Sequence, residues 1–315
     1  MILTEFPDLT WLKKKIASQF GGTADRPNQL PPTEGWPTVL INTRATSAYR
    51  PDIRGPLSLF CNLSGESLCA TEGRFVRVSP DRYFVSNQGQ AYTLQIDSPS
   101  PLQTFNIHFG DTFTQQTLQS LLLPTDRLLT DRCPSGPQEI NFLNKLYPQD
   151  HTFRLLLGRI RQAQEEGLLH QLLLDEYLQA FLVYLLHTYR NVLREAEKLP
   201  AVKASTKQEL YRRLSLALDY LQSQYASPVQ LEELAQAACL SKFHFLRLFK
   251  QAFRMSPYQY LQRLRIEKAQ TLLRHTDLPV HQIGVELGFE NANSFSRLFY
   301  QRVRVYPSQY REAVR

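Results

Sequence analysis

The chain of 315 residues is poor in cysteine (4), methionine (2) and tryptophan (2), and only 21% of it is charged. Cys61, Cys69, Cys133 and Cys239 are scattered, with no C-x-x-C pair and no short cysteine–histidine cluster. In a chain this long such thiols read as small buried hydrophobes rather than a disulfide framework, and zinc sites use closely spaced ligand pairs, so no metal is expected. Long apolar runs are missing too. Phe181-Leu182-Val183-Tyr184-Leu185-Leu186 is typical, far below the ~20 residues of a membrane span. Glu5, Asp8 and Lys13-Lys14-Lys15 stand where a signal peptide needs an apolar stretch, so a cytoplasmic protein without a membrane partner is expected. No glycine-rich phosphate loop or G-x-S-x-G elbow occurs, and no cofactor is implied. What remains, at 43% hydrophobic, is ordinary globular protein long enough for about two domains.

Net charge is absent from the first 204 residues, which balance 20 Lys+Arg against 20 Asp+Glu. Residues 205–315 carry 16 against 9 and therefore hold the whole excess of +7. A neutral module joined to a basic one points to a polyanion partner for the last third, with nucleic acid leading.

The texture of the chain changes in the same direction. Thirteen of 19 prolines and nine of 13 glycines precede residue 138. Among them lie short β-type runs at 38–42, 57–63, 74–78, 82–86, 91–96 and 103–109, bounded by turns such as Ser64-Gly65-Glu66 and Asn87-Gln88-Gly89. That spacing predicts an antiparallel sandwich or small barrel, preceded by a helix over about 8–20. Beyond 138, residues 151–166 and 168–199 read as amphipathic helices. The second shows Leu169, Leu172, Leu173, Glu176, Ala180, Phe181, Tyr184, Leu185 and Thr188 on one face, for packing on the barrel, on a second chain, or on both. A linker around 199–206 follows, with an N-cap at Ser205 or Thr206. Helices are then expected near 206–225, 230–238, 241–253, 256–274, 279–287, 291–303 and 307–313, with Pro228, Pro257, Pro279 and Pro307 at or before their starts.

This last region repeats itself. Residues 245–260 align with 295–310 at a spacing of 50, with nine of sixteen positions identical. Upstream, Leu234-Ala235 matches Ile283-Gly284, and Cys239-Leu240 matches Gly288-Phe289. Each copy has the pattern of a helix-turn-helix: a short helix with an apolar–small pair, a tight turn, an apolar plug and a second helix. Gly288 suits a positive φ at the turn, and Cys239 suits it less well. Phe245, Leu248, Phe249 and Phe253 form one apolar face, as do Phe295, Leu298, Phe299 and Val303. Arg247 and Arg297 project off it. The linking helix over 256–274 is about 28 Å long at 1.5 Å per residue. The major groove returns to one face of B-DNA every ~34 Å. Two reading helices on such a rod suit successive grooves, so one chain can read an asymmetric site.

On these residues, 205–315 resemble the DNA-binding domain of the AraC/XylS family of transcriptional regulators. The signatures are Leu234-Ala235, residues 241–250, Ser256-Pro257, Tyr260-Leu261, Arg265 with Ala269 and Leu272-Leu273, Gly288-Phe289, residues 295–299, and Pro307 with Tyr310-Arg311. The resemblance implies a multi-domain α+β protein. It would have a cupin-like antiparallel β barrel at 1–137 for ligand sensing, a helical dimerisation or relay segment at 138–200, and a linker at 201–206. An all-α DNA-binding domain with two helix-turn-helix motifs would fill 207–315. It further implies a homodimer that binds double-stranded DNA, answers to a small-molecule effector and activates transcription through RNA polymerase.

The family's base-reading positions fall here on Phe243, His244, Leu246 and Arg247, with Lys242 and Lys250 for phosphates. In the second copy they fall on Ala292, Asn293, Ser294 and Arg297, with Gln301 nearer the backbone. Arg suits guanine, Asn suits adenine, and Phe or Ala meets a thymine methyl. Phe243 and Leu246 either do this or pack on neighbouring helices, and His244 either reads a base or lies on the helix surface. The family usually has glycine where this sequence has Arg254 and Arg304. Either φ stays positive there, at a cost of about 1 kcal/mol each, or the helix ends differently and meets DNA at another angle.

Two competing readings differ in class. A cupin metalloenzyme needs two or three histidines with a carboxylate. The β region offers only His108, which alternation sets opposite Ile107 and Phe109, facing outward or satisfied as a single polar group. A barrel that only dimerises is the other. Nothing identifies a ligand: Arg44, Arg50, Arg54, Arg74, Arg77 and Arg82 favour an anion or simply lie on the surface. No reactive-cysteine methyltransferase module is recognisable.

Overall fold

The computed structural model describes residues 2–7, 36–71, 73–122, 140–165 and 167–314. The helix expected over 8–20 and Cys133 lie outside them. By its own contacts the chain divides into two compact units, Met1–Asn191 and Val192–Arg315.

In the first unit one sheet comprises β1 (Ile2–Leu3), β2 (Val39–Arg54), β3 (Leu57–Ser64), β4 (Ser67–Thr71), β5 (Arg74–Val78), β6 (Arg82–Ser86), β7 (Ala91–Phe109) and β8 (Leu146–Pro148). Its order is β1-β2-β7-β3-β6-β8, with β4 also on β7 and β5 on β4. All pairings are antiparallel except β1 with β2. Runs expected as separate strands at 91–96 and 103–109 are one strand, because β2 pairs with β7 from Val39↔His108 to Arg54↔Ala91. The irregularity between Ala45 and Ser47 absorbs residues 98–101, so Pro99 and Pro101 owe the ladder no N–H. A second irregularity lies between Arg50 and Ile53, where Asp52 has φ 45° and its N–H donates to Thr93 Oγ1 at 3.1 Å.

Among the described residues three helices belong to this unit, the last running past Asn191: α1 (Asp111–Leu122), α2 (His151–Glu165) and α3 (Gly167–Glu197). The sequence reading missed α1. On α3 the buried stripe is Leu174, Leu178, Phe181, Leu182 and Leu185, while Glu176 and Ala180 are exposed. The expected face was therefore rotated. Leucine on nearly every side of this helix left the 3.6-residue period without a sharp phase.

Both faces of the central strands are buried. One carries Leu59, Cys61, Tyr83, Phe105, Ile107 and Phe109, with Tyr83 stacked on Tyr147 and Phe153 at 5.3 and 4.5 Å. The Cys61 Sγ–H donates to the Phe105 carbonyl at 2.9 Å, and burial pushes both the Cys61 and Cys69 thiols far up. The other face holds Phe60, Phe84 and a row of polar groups, among them Ser58, Ser86, Thr104, Asn106 and His108. His108 turns inward, and its ring N–H is taken up by Ser58. The Ser58 hydroxyl donates its one hydrogen to the Pro56 carbonyl at 2.8 Å, so the contact at 2.8 Å between Ser58 Oγ and His108 Nδ1 runs from the ring N–H. Burial lowers the His108 pKa to about 4.

The second unit is helical: α4 (Ala204–Ser223), α5 (Leu231–Ala237), α6 (Lys242–Phe253), α7 (Pro257–His275), α8 (Val280–Glu286), α9 (Ala292–Val303) and α10 (Pro307–Val314). The expected helix ends hold to within one or two residues, and the N-cap of α4 is Lys203 rather than Ser205 or Thr206. At α7 the Ser256 side chain accepts from the Gln259 N–H at 3.2 Å, the Gln259 side chain accepts from the Ser256 N–H at 2.9 Å, and Pro257 opens the first turn. Ile266, Ala269, Leu273, Ile283, Leu287, Phe295 and Phe299 form the core under the second copy of the repeat.

Two measurable consequences follow from these environments. An unfolded histidine binds its proton near pH 6.5, whereas folded His108 does so only near 4. Stability contributed by neutral His108 is therefore full above pH 6.5 and falls as pH drops towards 4, by an amount on the order of 3 kcal/mol. Urea midpoints read by tryptophan fluorescence, with Trp11 and Trp36 both in the first unit's sequence, should fall across that window and do so less in His108→Gln. At the turn residues, a Cβ on Gly288 (φ 77°) would run into the Ala226 carbonyl oxygen. Gly288→Ala should cost more than about 2 kcal/mol, from the left-handed backbone and the clash together. Arg304→Gly, at φ 67° in open solvent, should instead be neutral to stabilising by up to about 1 kcal/mol, both in urea unfolding followed by circular dichroism.

Candidate nucleic-acid interface

The two copies of the repeat fold alike. In the first, the Leu240 N–H donates to the Ala235 carbonyl and the Cys239 N–H to Gln236, each at 2.9 Å. In the second, Phe289 donates to Gly284 at 3.0 Å and Gly288 to Val285 at 2.9 Å. Cys239 and Gly288 both take positive φ, 51° and 77°. The small residue below each turn lets the two helices approach: a Cβ on Gly284 would stand 3.3 Å from Phe295, and Ala235 is buried at the matching place. Phe245 and Phe249 in α6, and Phe295 and Phe299 in α9, are fully buried. Each of these helices is thereby pinned by one face and shows the other.

Arg254 and Arg304 have φ 59° and 67°, and their N–H groups donate to Lys250 and Tyr300 at 2.9 Å. The left-handed helix end is kept at both places without glycine. Of the two alternatives left open by the sequence, the unchanged helix end is the one observed.

The shown face of α6 carries Lys242, Phe243, Arg247 and Lys250, all exposed, with His244 and Leu246 half-buried. Phe243 is 88% exposed, so packing on a neighbouring helix does not account for it. Lys242 is paired with Glu232 of α5, and that ammonium lowers the Glu232 pKa. On α9, Asn293, Ser294, Arg297 and Gln301 are exposed and Ala292 is half-buried. Asn291 caps the helix, its side chain accepting from the Ser294 N–H at 2.8 Å. Two residues the sequence reading passed over, Tyr300 and Tyr306, stack at 4.7 Å and border a surface depression with Asn293, Arg297 and Gln301. They stand at positions where the first copy has Lys250 and Ser256, so the repeat gave no signal for them.

Arg265 ties the second turn in place. Its guanidinium donates to the carbonyls of Tyr225 (2.7 Å), Gly288 (2.9 Å) and Ser227 (3.2 Å), and lies 5.4 Å over the Phe289 ring. One side chain on α7 thus joins the α4–α5 connection to the turn before α9. The planar fork suits this bridging, which a lysine could not reproduce.

A helix-turn-helix domain model matches residues 234–313. An uncharacterised HTH-type transcriptional regulator of Haemophilus influenzae is 29% identical over 156 residues, 49% of this chain and 50% of that protein, so the chain spans only half of that relative's length. The HTH-type transcriptional activator RhaS of Escherichia coli is 30% identical over 208 residues, 60% of this chain and 70% of RhaS. The chain belongs to the AraC/XylS family of transcriptional regulators. A solved DNA-binding domain of AdpA, in complex with a target DNA, is 26% identical and covers 32% of this chain and 91% of its own, with a TM-score of 0.31. Within this AraC/XylS chain, among the described residues, no group of three His, Cys, Asp or Glu gathers to hold a metal, and no helix is long and apolar enough to cross a membrane.

Loss of the Arg265 bridge should be felt in stability. Arg265→Ala should destabilise the chain by about 2 kcal/mol, with Arg265→Lys recovering less than half, as read from urea midpoints by circular dichroism.

Proposed function

We propose that this AraC/XylS chain is a sequence-specific regulator that binds double-stranded DNA by setting α6 and α9 into successive major grooves. The observation that carries this is the duplicated corner: two twelve-residue helices with matching turns, matching left-handed ends and an exposed arginine at the same place in each. Phe243, His244, Leu246 and Arg247, then Ala292, Asn293, Ser294 and Arg297, are the residues we assign to base edges. Lys242, Lys250 and Gln301 are assigned to the backbone. The Lys242–Glu232 pair is solvent-exposed and weak, so a phosphate can replace the carboxylate at little cost.

Residues 1–137 act in this reading as a cupin-like barrel that senses a small effector, 138–200 as the relay and homodimerisation segment, 201–206 as linker and 207–315 as the DNA-binding domain. The printed description of RhaS as an activator supports activation, with RNA polymerase as the further partner. The reading implies a protein of the cytoplasm that is not an enzyme.

Sequence selection from fragmented genomic DNA by the full chain at ~150 mM salt should yield a site with two elements about one helical turn apart. On that site Arg247→Ala and Arg297→Ala should each lose about 1–3 kcal/mol and relax preference at a different element. Lys250→Ala should weaken all sequences alike and reduce the salt slope by about one. Equal losses on every sequence for the two arginine variants would contradict base reading.

A further inference from the structure

The first unit contains a cavity that the DNA-binding reading leaves unused. It opens between β2, β3 and β7 and holds about 600 Å³ free of atoms, part of it continuous with solvent; about 50 Å³ of this is wide enough for the centre of a water molecule. A slot this narrow suits one small, flat molecule. Its exposed wall is almost wholly carbon, from Trp36, Val39, Ile41, Phe60, Tyr92 and Leu94. Phe60 and Tyr92 meet edge to face at 4.8 Å, an arrangement that leaves ring surface for a further ring.

Two polar side chains break that wall, Asn106 and His108, two residues apart on β7 and therefore on one face of it. Asn106 is 2% exposed and its Nδ2 has no hydrogen-bond partner among the described residues, an unusual state for a buried amide. Among the described residues, Ser86 Oγ and Thr104 Oγ1 on the same face are unpartnered as well. His108 spends its ring N–H on Ser58, and burial keeps the ring neutral, so Nε2 carries a lone pair and no hydrogen. One face of β7 thus brings to this cavity an amide donor with no acceptor among the described residues and, two residues on, a ring nitrogen that can only accept. Arg50 lines the rim, but its guanidinium donates to the Pro7 carbonyl and lies over the Phe6 ring at 5.9 Å.

We propose that this cavity binds an uncharged, single-ring aromatic molecule bearing one hydroxyl group, which donates to His108 Nε2 and accepts from Asn106 Nδ2. The inference rests on the effector-sensing reading above and gives that effector a chemistry. A hydroxyl satisfies both orphaned groups at once. A carboxylate has no hydrogen for Nε2 and would be stripped of water against carbon, and a sugar would bury hydroxyls for which the wall offers no partners.

Isothermal titration calorimetry of the full chain with 4-ethylphenol, ethylbenzene, 4-ethylbenzoate and D-galactose tests this. The phenol should bind about tenfold tighter than ethylbenzene, and 4-ethylbenzoate and galactose should not bind measurably. Asn106→Leu, with its melting temperature checked, should abolish the preference for the phenol over ethylbenzene. Tightest binding of the benzoate or the sugar, equal binding of phenol and ethylbenzene, or no heat with any of the four would overturn the proposal. Tight phenol binding that leaves affinity for the selected DNA site unaltered would support this ligand class while removing the effector role from the functional reading.

Discussion

The close approach of Phe295 to Gly284, with room for a Cβ only if something yields, sets how α9 crosses α8. Everything outward of that contact inherits its geometry. The tight packing is possible because the chain reverses through a single left-handed residue and a buried apolar plug, and because Arg265 fastens three carbonyls around the reversal. A helix clamped by one face presents its other face in a fixed direction, which is what reading a groove requires. The first copy meets the same constraint with Ala235 and Cys239, at a small backbone cost that the second avoids with glycine.

A different economy governs the sheet unit. Its central strands are buried on both faces, and the two faces are not alike. The one bearing Tyr83 and Phe105 is mainly aromatic and aliphatic, with the Tyr83 hydroxyl and the Cys61 thiol as its polar groups. The one bearing Asn106 and His108 collects hydroxyls and amides, several of them without partners among the described residues. Protein interiors do not leave such groups unpaired without compensation. Their concentration beside a carbon-walled slot connects the neutral His108 and the bare Asn106 amide to one role rather than to separate accidents of packing.

Much of the helical unit was legible in the sequence because its constraints are local and written twice. Proline at helix starts, small residues under bulky ones, and Phe at helical spacing all recur about fifty residues apart, and the outward placing of Arg247 and Arg297 follows from that pattern, whereas that of Phe243 was left open until the fold was seen. What lay beyond reach was long-range. The joining of 91–96 to 103–109 depends on β2 running alongside, the strands Ser67–Thr71 and Leu146–Pro148 exist only through their partners, and α1 begins at an aspartate whose meaning is set by Trp36, whose N–H it accepts at 2.9 Å. The phase of α3 was obscured by leucine on most of its sides. His108 illustrates the division well: alternation gave its face, and only the fold could say that Ser58 and a cavity lie on that side.

The central claim is that two equivalent corners present two reading helices to one side of a duplex. Methylation interference at guanine N7, a major-groove atom, on a site bound by the full chain tests it most directly. Two clusters of interfering guanines, centred about 10–10.5 base pairs apart on one face of the DNA, are expected. A single cluster, or two separated by half a turn and so on opposite faces, would contradict the account.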